Sequence, residues 1–380
     1  MLNIELTMRN YQLFVIASIL AFSGYAQQPT TTVREAETPI DLSSYLSDRE
    51  DLDQKVDSIF NAMSNESRVA QLIMPAAGRL GQTEERINYY IDHNYIGGIL
   101  LLNGTKEQFT GWVSEYNAKA EKLGQLPFLF SADAEPSLVN RKIIGSTVVK
   151  KANEVMTVEE ATEVAKIISD DLNAIGINYN FSPVVDLSPN KTVGYRGFGT
   201  FPENIIPFSD AFIQQSQSQN IIATAKHFPG HGLVTGDTHK SLQVIDGELK
   251  EVAYYPELIQ KGVLSIMVGH LAVKNNEKYN TFGEPATTSK VIIQELLRDS
   301  LGFQGLVVTD AMGMGGVVNV VDAEVKAVAA GCDIILMPKD AEKAHQAILK
   351  KYLEDAAFKQ NVDASAKRII RMKVCLGLIQ

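Results

Sequence analysis

"NIIATAKHF" (residues 220–228) is apolar for most of its length and then ends in Lys226 and His227. A run of this length reads as a buried strand. A strand that begins apolar and ends in charge has no packing reason to do so, and the pattern recurs. "QLIMPAA" (71–77), "IGGILLL" (96–102), "LPFLFSAD" (126–133), "INYNFSPVVD" (177–186), "VLSIMVGH" (263–270), "GLVVTDAM" (305–312) and "CDIILMP" (332–338) bring the count of such runs to eight. Between them lie longer amphipathic stretches. "TVEEATEVAKIISDDLNAIG" is the clearest, with apolar residues at helical spacing, acids in its first turn and Gly176 to close it. Strands alternating with helices argue for a parallel α/β fold. Eight is the count that closes a (β/α)8 TIM-like barrel, expected here as a single domain over residues 46–380. A doubly wound sheet is the structural alternative, disfavoured because no Gly-x-Gly-x-x-Gly follows the first strand.

The barrel explains where the polar residues fall. Asp133, Asp186, Lys226 with His227, His270 and Asp310 all sit at C-terminal strand ends. In a (β/α)8 barrel those ends converge on one mouth, where active sites are built. Each aspartate alone could equally cap the helix that follows it.

Composition narrows the function. The chain has 380 residues, 45% hydrophobic and 21% charged, with a net charge of −10 and no basic run. Nucleic acid and anionic membrane surfaces are therefore not expected partners. From Met8 the chain reads "MRNYQLFVIASILAFSGYAQQ": one positive charge, a short apolar run, then small residues at Gly24 and Ala26. That pattern is a secretory signal over residues 1–26 with cleavage after Ala26. It implies a periplasmic or secreted protein with no membrane span once the signal is removed; an uncleaved anchor is the alternative. Residues 27–45, polar and rich in Thr, Pro and Gln, read as a flexible tail. Cys332 and Cys375 are expected as buried free thiols. A monomer is expected.

"KHFPGHGLVTGDTHK" (226–240) holds three of the chain's six histidines, which raises the question of a metal. His227 and His231 have ligand spacing for a helix, but Pro229 and Gly230 make the segment a loop, and no third ligand follows a known pattern. No metal and no cofactor are expected. "GDTH" offers another chemistry. The Asp237 carboxylate can accept from one ring nitrogen of His239, fixing the tautomer and raising the basicity of the other. Asp310, at the end of "GLVVTD", could be a nucleophile, a metal ligand or a helix cap. As a nucleophile, it would form with His239 the pair that retaining glycoside hydrolysis requires.

"KHFPGHG", then "DTH", then "TDAMGM" about 70 residues later closely resembles glycoside hydrolase family 3. The match is to single-domain bacterial β-N-acetylhexosaminidases that cut N-acetylglucosamine (GlcNAc) from peptidoglycan fragments, and it covers about residues 50–376. The resemblance implies Asp310 as nucleophile, His239 as acid/base and Asp237 as its partner. It implies sugar contacts at Lys226, His227, Arg196, Asp133 and Arg141, and a β-GlcNAc glycoside as the carbohydrate partner. Many relatives carry a second α/β domain that supplies a glutamate acid/base. Here the chain ends soon after the eighth run, so the proton donor is expected from the barrel. The sequence departs from the family in two places. Where the family has Asp-Gln-Glu-Gly-Gly-Arg-Val this chain has "DAEPSLVNR", and Arg-Ser-Phe has become "RGF". The first change bears on which sugar is bound. The rivals are another family 3 exo-glycosidase, a GlcNAc phosphorylase using phosphate in place of water, and a non-catalytic sugar-binding barrel.

Overall fold

The computed structural model describes residues 39–187 and 189–379. The signal at 1–26 and residues 27–38 of the tail lie outside the described residues. Packing begins before residue 46. Asp41 caps a short turn over Leu42–Ser44, and Leu42 and Tyr45 are buried. The last helix holds them: Arg371 Nε donates to the Tyr45 carbonyl at 2.7 Å.

Each of the eight apolar runs contains strand. We label these β1 (Ile73–Met74), β2 (Ala76–Ala77), β3 (Gly98–Leu101), β4 (Leu129–Ala132), β5 (Tyr179–Asn180), β6 (Ile222–Phe228), β7 (Ser265–Val268), β8 (Leu306–Thr309) and β9 (Ile335–Leu336). The first run yields two strands because Pro75, which has no N–H to give a ladder, separates them. Seven strands form one curled parallel sheet in the order β8-β7-β6-β5-β4-β3-β2. β9 pairs with β1, also in parallel. Backbone bonds run on from the sheet edges. Thr309 N–H donates to Ile334 O at 3.0 Å and Ile335 N–H to Leu72 O at 2.7 Å, while Gly97 N–H reaches Ile73 O at 3.1 Å. All-parallel strands covered on both faces should be apolar throughout, and β3, β4, β6, β7 and β8 are buried along their whole length.

From β2 onward helices separate successive strands, as parallel connections require. The clearest spans Val158–Ile175: Thr157 accepts from the Glu160 N–H, Glu159 and Glu160 occupy its first turn, and Gly176 closes it at φ 92°. Both cysteines are free and buried. One irregularity falls at the functional end of β6. Met267 pairs with Lys226 but Val268 pairs with Phe228, so His227 is an extra residue in the ladder. A bulge of this kind turns its side chain away from the regular alternation.

Candidate active site

The curl brings the strand ends together. Asp133 follows β4, Lys226 and His227 end β6, and Asp310 follows β8. All three positions open onto a cavity of about 880 Å³. Arg141, Arg196, Asp237 and His239 line the same cavity, whereas Asp186 and His270, the other strand-end residues, are buried and do not line it.

Asp310 is fixed by its backbone: its N–H donates to Val268 O at 2.8 Å, and its own Oδ1 accepts from Ala311 N–H at 2.8 Å. Burial would raise its carboxyl. The charges of His227 and His270, the Ala311 N–H and the charge of His239 outweigh that and hold it below the usual carboxylate range. It is thus an ionised carboxylate in a low-dielectric place, fit to attack or to bind a cation. His270 is held on both sides, by Thr287 Oγ1 and Ala311 O, each at 2.9 Å.

His227 is walled in. Its Nδ1 sits 2.6 Å from Asp186 Oδ2, and its N–H donates to the same carboxylate. Asp186 also accepts the His231 N–H at 2.8 Å. His239 is built the same way in the open: Nδ1 lies 2.8 Å from Asp237 Oδ1, whose other donor is the His239 N–H at 3.0 Å. Its Nε2 has no protein partner among the described residues and is left to a ligand.

The loop carrying this dyad is docked onto the segment after Asp310. Gly315 N–H donates to His239 O and Gly316 N–H to Thr238 O, each at 3.0 Å. A Cβ at Gly315 would stand 2.3 Å from Lys240 O, so only glycine permits the approach. Thr238 Oγ1 bonds buried His231 at 2.9 Å, and Asn190 Nδ2 reaches Gly236 O at 2.9 Å. The loop carrying His239 is therefore held to the segment that follows Asp310.

The other wall is a cation–carboxylate cluster. Lys226 Nζ lies 2.6 Å from Glu135 Oε1 and 3.0 Å from Asp133 Oδ1. Arg196 grips Glu135 with two bonds, 2.8 and 2.7 Å. Lys142 Nζ takes the other oxygen of Asp133 at 2.6 Å. Burial opposes ionisation of Glu135, but Arg196 and Lys226 bring it down to about 2. Arg141 donates to Tyr195 Oη at 3.1 Å.

A family profile described as "Glycosyl hydrolase family 3 N terminal domain" matches residues 64–372. The chain belongs to glycosyl hydrolase family 3. It is 30% identical over 291 residues to a beta-hexosaminidase of Actinobacillus pleuropneumoniae serotype 5b, covering 71% of this chain and 81% of that protein. It is 27% identical over 330 residues to a beta-N-acetylglucosaminidase/beta-glucosidase of Cellulomonas fimi, covering 79% of this chain. The solved family 3 beta-N-acetylglucosaminidase of Paenibacillus sp. str. FPU-7 superposes with a TM-score of 0.76 at 28% identity over 83% of this chain. The chain spans 57% of the Cellulomonas protein and 63% of the Paenibacillus one.

Within this family 3 site, sequence reasoning missed several residues that hold the named ones. Glu135 anchors Lys226 and Arg196, and its signal was present as the Asp-x-Glu of "DAEPSL". Asp186 stands at a strand end in the sequence with no local sign of its partners, and His231 reads there only as a metal-ligand candidate. Lys142, beside the singled-out Arg141, carries the contact to Asp133. Among the described residues no group of at least three His, Cys, Asp or Glu is placed to hold a metal ion.

Proposed function

We propose that this protein is a secreted, retaining exo-glycosidase that releases terminal β-linked GlcNAc. The observation that carries this reading is one cavity holding both an ionised Asp310 and a solvent-reachable His239–Asp237 pair. In the first step Asp310 attacks the anomeric carbon while His239 gives its Nε2 proton to the departing oxygen. In the second, His239 takes a proton from water, and the water displaces Asp310 from the sugar. Asp237 accepts a hydrogen bond from the His239 Nδ1–H throughout and keeps Nε2 as the exchanging nitrogen. Lys226, Arg196, His227, Asp133 and Arg141 form the sugar's wall. The names of the relatives support a GlcNAc glycone. Peptidoglycan-derived oligosaccharides are the natural source that a periplasmic location would supply. We take residues 1–26 as the signal and the protein as a monomer. The bonds from β8 through residues 334–337 to β1 support a closed eight-stranded barrel.

Turnover of 4-nitrophenyl β-GlcNAc against the β-glucoside tests this, with the anomer of the released sugar followed by NMR. Preferential release of β-GlcNAc as the first product is expected. Inverted product, or no turnover by folded protein, overturns the reading.

A further inference from the structure

Resting on that glycosidase reading, we propose that the wall of the pocket carrying Arg79 and Arg141 binds an anionic substituent, a carboxylate or phosphate, carried by the sugar itself.

The wall is built from the segments after β2, β3 and β4, and local backbone bonds bring them side by side. Arg79 N–H donates to Asn103 O at 3.2 Å. The next residue, Gly104, pairs in parallel with Ile143, directly after Arg141 and Lys142. Arg79, Arg141 and Lys142 thereby face one cavity from adjacent segments. The Asp310 and His239 groups follow β8 and β6, the other half of the strand order.

Their charges are not matched. Lys226 and Arg196 are neutralised by Asp133 and buried Glu135, and Lys142 by Asp133. Among the described residues neither Arg79 nor Arg141 has a carboxylate within ion-pair distance, and the one side-chain bond of Arg141 is to the neutral Tyr195 hydroxyl. Asp133, the one carboxylate on this wall open to the cavity, has both oxygens already engaged by lysines. The wall therefore offers donors and few free acceptors, so it can satisfy the lone pairs of a sugar hydroxyl but not its O–H, whereas an anionic group only accepts. In a chain of net charge −10, two exposed guanidinium groups that line the cavity without a carboxylate partner focus attraction for an anion. Guanidinium matches carboxylate and phosphate with paired N–H donors.

The test is calorimetric titration, which needs no turnover. The ligands are GlcNAc, its 6-phosphate and its 3-O-carboxyethyl ether, with wild type and Arg79→Gln. At least one anionic sugar should bind roughly tenfold more tightly than GlcNAc at low ionic strength, and added salt should erase the difference. Arg79→Gln should remove that advantage and leave GlcNAc affinity within about twofold. The two anionic ligands separate a phosphate from a carboxylate source. No gain for either, or a gain that survives Arg79→Gln, overturns the proposal. So does equally tight binding of inorganic phosphate alone, since the site would then serve a free anion. Turnover of neutral GlcNAc glycosides without any anion preference removes this inference and leaves the glycosidase reading standing. Tight anionic binding without GlcNAc turnover does the reverse.

Discussion

His227–Asp186 and His239–Asp237 use the same atoms, imidazole Nδ1 against a carboxylate, at 2.6 and 2.8 Å. Their surroundings are opposite. The first pair has side chains 6% and 1% exposed, the second 60% and 29%. Asp186 also collects the N–H groups of His227 and His231, so the buried pair locks the loop after β6 to the end of β5. Asp237 collects only groups from its own turn. The same imidazole–carboxylate pairing thus makes a strut in one place and, on the proposed mechanism, a proton carrier in the other. What separates them is access: an imidazole exchanges protons with a leaving group or water only if its free nitrogen is reachable.

The largest effect should come from the group both pairs flank. Asp310→Ala should lower turnover by at least roughly 10⁴-fold on every glycoside, because activated and unactivated leaving groups need the same attack. Near wild-type rates from folded Asp310→Ala, measured with the nitrophenyl and the disaccharide substrates, would reassign the nucleophile.

His239→Ala comes next and tests the open pair alone. A poor leaving group needs the proton, whereas nitrophenolate departs with little help. The loss should be roughly 10²–10⁴-fold on a GlcNAc disaccharide and several times smaller on the nitrophenyl glycoside. Azide should partly restore the second step. Equal losses with no azide effect would make His239 a binding residue and erase the distinction between the pairs.

The contrast sharpens when the carboxylates are removed in turn. Asp186→Ala leaves a buried imidazole and two backbone N–H groups without their acceptor, so unfolding free energy should fall by roughly 3–5 kcal/mol. Asp237→Ala should leave stability within about 0.5 kcal/mol, because the site is open. It should cost roughly 10- to 100-fold in turnover, with the same leaving-group pattern as His239→Ala but weaker. Urea titration and kinetics on both variants give the comparison directly. A stable Asp186→Ala or an unfolded Asp237→Ala would invert it.

The open pair was legible in sequence because its partners are two residues apart, and "GDTH" states the contact outright. The strands were legible because a buried parallel strand is a local run of apolar residues. The helix ends were legible because caps are local too, as Thr157 and Gly176 show. The buried pair was not, since Asp186 and His227 are 41 residues apart and nothing local in either segment names the other. The same holds for Glu135 with Arg196, 61 apart. Lys142 shows a further limit. It stands nine residues from Asp133 on a four-residue helical turn, Val139–Lys142, and nothing local in the sequence says that it, rather than Arg141, reaches Asp133. Strand-end position gave the address of the site; the fold decided which groups touch.

The smallest effect concerns the floor under the buried pair. Glu251 lies beneath the "PGHG" turn, accepting the Leu187 N–H at 2.7 Å, Gly232 N–H at 3.2 Å and Leu233 N–H at 3.3 Å. The glycines are needed there: a Cβ at Gly230 would stand 2.6 Å from that of Glu251. Burial first, and then the nearby charge of Asp186, push the Glu251 carboxyl up to about 8, against the pull of those N–H groups. A folded value above the unfolded one of 4.5 means that its stabilising contribution is complete below 4.5 and is lost as pH rises through about 8. Wild type should therefore lose of order 1 kcal/mol of unfolding free energy between about pH 6 and about pH 9. Glu251→Gln keeps the shape and cannot ionise. It starts less stable, because its amide nitrogen cannot accept where a carboxyl oxygen takes the Leu233 N–H, but its profile over this range should be flatter. The open pair has no such floor, so Asp237→Ala should keep the wild-type slope. Equal slopes in wild type and Glu251→Gln would show that the buried pair rests on a carboxylate ionised at every pH tested.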